Sequence, residues 1–89
     1  MYYLYILKSK KDKKNYIGST KDLRQRLKLH NEGKVFSTKE RRPLMLIYYE
    51  AYLSEKDARN REQKLKNYGQ GITNIYKRIA NSLREEGAG

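Results

Sequence analysis

Five side chains have the types and spacing that phosphodiester chemistry asks for. Tyr5 and Tyr16 stand eleven residues apart, Arg26 and His30 follow with one helical turn between them, and Glu62 comes far downstream. Hydrolysis of a phosphodiester needs a water made nucleophilic, positive charge beside the developing oxyanion and help for the leaving oxygen. A phenol acting as general base must first lose a proton with a reference pKa of about 10, so it requires positive charge close by. Arg26 is the candidate for that charge. His30, the single histidine, has a reference pKa of about 6.5, and as a neutral imidazole it can relay a proton or hydrogen-bond a phosphate oxygen. Glu62, an acid amid the bases of Arg59-Asn60-Arg61-Glu62-Gln63-Lys64-Leu65-Lys66, suits Mg²⁺ or Mn²⁺, whose other positions water and phosphate can fill. One histidine and no cysteine exclude a multi-ligand zinc site and a cysteine–histidine nucleophile pair.

Each of these residues also has a plainer explanation. Aromatic residues favour strands, and the chain has nine tyrosines. An arginine on a basic helix is usually solvated, and a lone histidine is more often incidental than catalytic. Glu62 has Arg59 three positions before it and Lys66 four after it, both in reach for an ion pair. Gly18, next but one to Tyr16, weighs toward a site, because a glycine on that face leaves room for a backbone phosphate to approach.

The elements that must position these groups can be read from the pattern. Tyr2 to Leu7 reads as a strand with Leu4 and Ile6 on one face and Tyr3, Tyr5 and Leu7 on the other. A polar turn from Ser9 to Lys14 leads to a second strand, Asn15 to Gly18, giving a hairpin. Thr20-Lys21-Asp22 reads as a helix start, with a hydroxyl cap and an acid in the first turn; the helix should run to Asn31 or Glu32 and end at Gly33. Leu23 and Leu27 should face the sheet, with Arg26 and His30 on a neighbouring stripe. After a basic loop over 34–43, Leu44 to Tyr52 is the third strand, apolar enough to be central or buried on both faces. Ser54 should cap a second helix, with Ala58 and Leu65 inward. Gly69-Gln70-Gly71 should break the chain before a third helix carrying Ile72, Ile75, Tyr76, Ile79, Ala80 and Leu83 at helical spacing. Residues 87–89 should fray. The expectation is one α+β domain over residues 1–86: a three-stranded antiparallel sheet with about three helices, in the order β-β-α-β-α-α.

Charge is the strongest compositional signal. Lys and Arg number 21 against 10 acids, a net charge of +11 with a pI near 9.9. That balance calls for a polyanionic partner, and the bases recur along the whole chain, which favours nucleic acid. The longest apolar run, Leu44 to Tyr49, is far too short to cross a bilayer. No basic amphipathic segment with an exposed aromatic face stands out, so a membrane partner is not expected. Without cysteines or a signal segment, the expected compartment is the cytoplasm.

Together, Tyr3-Leu4-Tyr5, the segment Tyr16-Ile17-Gly18-Ser19-Thr20-Lys21-Asp22-Leu23-Arg24-Gln25-Arg26-Leu27 with His30, Arg41-Arg42-Pro43, and Arg61 to Lys66 resemble the GIY-YIG endonuclease family. The resemblance is to its small single-domain bacterial branch, and to the domain that begins the nuclease component of the excision-repair excinuclease. It implies divalent-metal-dependent cleavage of DNA, branched or damaged DNA included, with RNA left open. By position Tyr16 would be the base or water-orienting phenol, Tyr5 its support, Arg26 the phosphate stabiliser, His30 an assistant and Glu62 the metal ligand. Gly18, Lys21, Arg41, Arg42 and Asn74 would contact nucleic acid. The opening glycine of the first motif is absent, and no second DNA-binding domain accompanies the motifs, so target preference could come from a protein partner. A non-catalytic nucleic-acid-binding module on the same fold is the alternative.

Overall fold

The computed structural model describes residues 1–88. A hairpin of β1 (Tyr2–Ser9) and β2 (Asn15–Thr20) leads into α1 (Leu23–Asn31), a short 3-10 turn (Lys39–Arg41) and β3 (Leu44–Tyr52). Then come α2 (Glu55–Asn67), α3 (Gly69–Arg78) and α4 (Ala80–Ala88). The three strands are antiparallel in the order β2-β1-β3, so β1 is central. This corrects the place expected for Leu44–Tyr52, which is an edge strand. In β1 the run Leu4-Tyr5-Ile6-Leu7 is bulky and apolar at every position and almost wholly buried. β3 instead leaves Tyr49 and Ala51 exposed, and it has only one neighbour.

The two-residue alternation of β1 separates two cores. Leu4 and Ile6 pack with Leu65 of α2 and Ile75 of α3, joined by Ile17 and Tyr48. Tyr5, Leu7 and Leu44 pack with Leu23 and Leu27 of α1 and with Tyr16. The sheet is therefore a wall between α1 on one side and α2 with α3 on the other.

Asp22, not Thr20, caps α1. Its backbone is extended and its carboxylate accepts the Gln25 N–H at 3.0 Å. Thr20 Oγ1 accepts the Asp22 N–H at 3.1 Å, closing the turn out of β2. A carboxylate is the stronger partner at the positive end of a helix. Gly33 ends α1 with φ +77°, and a Cβ there would lie 2.7 Å from a guanidinium nitrogen of Arg42. Ser54 caps α2, accepting the Asp57 N–H at 3.4 Å, with Ala58 and Leu65 buried as their spacing requires.

The break expected at Gly69-Gln70-Gly71 falls one residue earlier. Tyr68, in an extended conformation, ends α2 and precedes α3, and both glycines lie inside α3. The apolar stripe from Ile72 to Leu83 divides at Ile79, whose φ of −106° and ψ of 25° turn the chain from α3 into α4. Ile72, Ile75 and Ile79 still reach the same core. Among the described residues there are thus four α-helices. α4 runs through Ala88 where a loose end was expected from Gly87; Gly89 lies outside the described residues. No helix among the described residues is long and apolar enough to cross a membrane.

Asn31 holds the start of β3 to the end of α1. Its Nδ2 donates to the Leu44 carbonyl at 2.9 Å, and its Oδ1 accepts the Leu44 N–H at 2.8 Å. The side chain thus stands in for a strand partner. Replacing Asn31 by Ala removes two hydrogen bonds of about 1 kcal/mol each, so urea unfolding should show a loss of roughly 2 kcal/mol with an unchanged m-value.

Candidate active site

With β2 at the edge of the sheet, its outer side is open, and helices from both faces reach around it. An open groove of ≈ 320 Å³ runs there, lined by Tyr5, Tyr16 and Arg26 from the α1 side and by Ser19, Arg59 and Glu62 from the α2 side. Four of the five residues singled out for chemistry therefore share one concave surface. The rings of Tyr5 and Tyr16 lie 6.4 Å apart, and His30 stacks edge-on against both, at 5.7 and 5.1 Å.

Arg26 stands between the phenols. Its hydrogen bond to Tyr5 raises its already high pKa, so the guanidinium is a permanent positive charge. Burial raises the Tyr5 pKa although Arg26 pulls it down, so Tyr5 stays a neutral phenol. Tyr16 is only half-buried, and its ring lines the groove.

His30 is not in the groove. It is fully buried, with Nε2 2.9 Å from Tyr5 Oη and Nδ1 2.7 Å from Thr38 Oγ1. Burial first, then the charge of Arg26, lowers its pKa from 6.5 to about 4. The neutral ring carries a single N–H, so one of the two hydroxyls donates to it and the other accepts. His30 is thus a positioning residue that fixes Tyr5 from behind and does not reach a phosphate. Helical spacing does set it beside Arg26, but buried Val35 and Thr38, in the loop after α1, belong to the part of the fold that closes over this end of the helix.

Gly18 also has a role that its place in the sequence did not show. It is paired with Tyr5 in the ladder, and a Cβ there would lie 2.5 Å from Tyr5 Oη and 2.6 Å from Cζ. The missing side chain makes room for the Tyr5 phenol, and Gly18 itself lines the groove.

Glu62 makes the ion pair expected of it and also faces the groove. Its Oε2 accepts from Lys66 Nζ at 2.6 Å, one turn along α2, and its Oε1 accepts from Ser19 Oγ at 2.6 Å across the groove. A single, partly solvated carboxylate on an open groove fits a hard cation that keeps most of its waters. Among the described residues no cluster of three or more His, Cys, Asp and Glu could build a protein cage for one. Glu62 would hold the ion, with Ser19 orienting the carboxylate.

The residues assigned to nucleic-acid contact divide. Lys21 is exposed just beyond β2. Arg41 is committed to the fold: Nε donates to Asp12 Oδ2 at 2.7 Å and Nη2 to the Asn15 carbonyl at 3.0 Å, while its own carbonyl accepts from buried Ser9 Oγ at 2.6 Å. That ion pair locks the hairpin turn to the 3-10 segment. Arg42 donates to the Lys39 carbonyl at 2.8 Å and covers Gly33, away from the groove. Asn74 is on an exposed face of α3, accepting from Gln70 Nε2 at 3.1 Å, also outside the groove. Ser19, Arg59 and Thr38 were not singled out by sequence. Arg59 had a readable signal, being three residues before Glu62 on one helix face. Ser19 and Thr38 act only across tertiary contacts.

The chain matches the GIY-YIG catalytic domain family over residues 1–76 and belongs to it. It is 40% identical over 68 residues to a UPF0213 protein of Staphylococcus haemolyticus, covering 75% of this chain and 82% of that one. A UPF0213 protein of Bacillus pumilus is 36% identical over 76 residues, covering 84% and 76%. The solution NMR structure of a UPF0213 protein from Bacillus halodurans superposes with a TM-score of 0.52 at 31% identity, over 84% of this chain and 85% of that one. The domain is thus a nuclease domain of the small bacterial branch, in a family whose nucleases generally use divalent metals.

Two measurements check the geometry. Gly18→Ala should force Tyr5 out of place and cost roughly 1–3 kcal/mol in denaturant unfolding, with a matching change in Tyr5 ring NMR shifts. Because the folded pKa of His30 lies below its unfolded value, the unfolded chain binds more protons between pH 6.5 and about 4. Stability should fall as pH drops through that window, and His30→Gln should flatten this part of the profile.

Proposed function

We propose that the protein is a divalent-metal-dependent endonuclease that hydrolyses DNA phosphodiester bonds at the β2 edge. The observation that carries this reading is the convergence of Tyr16, Arg26 and Glu62 on one open groove in a chain of net charge +11.

A scissile phosphate in the groove sits beside the Arg26 guanidinium, which opposes the charge that builds on its oxygens. Tyr16, half-exposed next to the same charge, orients the attacking water and, having first released its own proton to solvent, takes one from that water. Tyr5, held by His30 and by the space at Gly18, keeps Arg26 and Tyr16 in register. Arg59 adds positive charge on the opposite wall. Glu62 holds Mg²⁺ or Mn²⁺, which when bound supplies Lewis acidity to the phosphoryl group and charge for the leaving oxygen. Binding of the ion competes with Lys66 for the carboxylate.

That Lys66 contact also favours a second reading, a nucleic-acid-binding module in which the acid is permanently neutralised. A supercoiled-plasmid assay separates the two. Nicking should require Mg²⁺ or Mn²⁺ and stop with chelator. Glu62→Ala and Tyr16→Phe should each slow it by about 10²-fold or more, with DNA binding largely kept. Undiminished cutting by Glu62→Ala would overturn the site assignment. Salt-sensitive binding without cutting under any metal would leave the binding module.

A further inference from the structure

A second groove, of ≈ 430 Å³, lies on the other side of α1, and none of the chemistry above uses it. Its polar wall carries Lys21 and Arg24, its floor Leu27 and Leu46, and its far wall the rings of Tyr3 and Tyr49. The two rings meet edge to face at 6.0 Å, and Tyr49 is 53% exposed. The remaining acid, Asp22, is occupied in capping α1.

This groove is connected to the active site. A smaller hollow of ≈ 170 Å³ shares Ser19 and Arg59 with the catalytic groove and Lys21 with the aromatic one; its one acid, Glu55, is paired with Arg59 at 3.8 Å. The three form a track around the end of the sheet. Tyr3 lies two residues along β1 from Tyr5 on the same face, roughly 7 Å.

We propose that this track carries the strand leaving the scissile phosphate, and that the Tyr3–Tyr49 groove takes an unpaired nucleobase from it. The chemistry favours a base. Aromatic faces next to basic side chains are how proteins hold single-stranded nucleic acid, since every base has a face to stack and every linkage a charge to neutralise. Within a duplex both faces of a base are already stacked, so only an unpaired nucleotide can present one to Tyr49. The substrate is therefore DNA with an overhang or flap beside the cleavage point. This rests on the endonuclease reading for what the strand is doing there, but the base-binding groove itself is tested without cleavage.

The test uses the full chain carrying Glu62→Ala, with a blunt DNA duplex and the same duplex bearing a four-nucleotide overhang that carries 2-aminopurine at each position in turn. The overhang should bind about tenfold more tightly, as expected for one stacked base, and one 2-aminopurine position should be strongly quenched. Adding Tyr49→Ala should remove both the preference and the quenching while blunt-duplex binding holds, and Tyr49→Phe should restore them. Equal affinity for the two DNAs, or a preference that survives Tyr49→Ala, overturns the proposal. If wild type cuts plasmid but shows no overhang preference, the groove proposal alone fails. If the preference is present but nothing is cut, the endonuclease reading fails and the base-binding groove remains.

Discussion

The hydrogen bond between Tyr5 and His30, closed inside the protein, is the constraint on which the rest of the site depends. It joins the central strand to α1 and fixes the phenol against the bare face of Gly18. The phenol in turn fixes Arg26, through the hydrogen bond that strengthens the guanidinium's hold on its proton. A buried polar pair of this kind is costly if either member loses its partner. Here no buried side-chain nitrogen or oxygen among the described residues lacks one. The geometry is therefore held by the penalty for breaking it as much as by the bonds themselves.

Charge works in the opposite way. The excess of positive charge that suits a polyanion also repels itself in the folded chain. Several cations are taken up by acids inside the fold: Arg41 by Asp12, which this partner pulls down to a pKa of about 2, and Arg61 by the carboxylate of Glu50. The Glu50 carboxylate also accepts from the hydroxyls of Tyr48 and Tyr52, making a network that ties β3 to α2. Structural cations and substrate-facing cations look identical in composition. Their places separate them: Arg26 and Arg59 line the groove, Arg59 with a longer 3.8 Å pairing to Glu55, while Arg41 and Arg61 do not.

The open edge of β2 gives the fold its usable surface. A three-stranded sheet covered by α1 on one face and by α2 and α3 on the other brings both helix layers together only at its edge. At the edge, side chains from both helix layers meet around a single strand, and Tyr16 and Ser19 point to opposite sides of it. An acid from one layer and a guanidinium from the other can thus face the same phosphate.

From the sequence by itself came the hairpin, the alternation of β1, the helix stripes and the motif residues. These follow from local rules: period two in strands, period 3.6 in helices, and the chemistry of phenols, guanidinium and carboxylate. Tertiary structure decided which strand is central, because pairing with two neighbours is not written in one strand's own pattern. It sent His30 inward, since the loop that closes over it joins α1 only in three dimensions. It seated the Tyr5 phenol against Gly18 in the lining of the groove, and it drew Arg41 away to Asp12 while leaving Asn74 apart. Each of these outcomes depends on what packs across from a residue, and residues distant in sequence supply that.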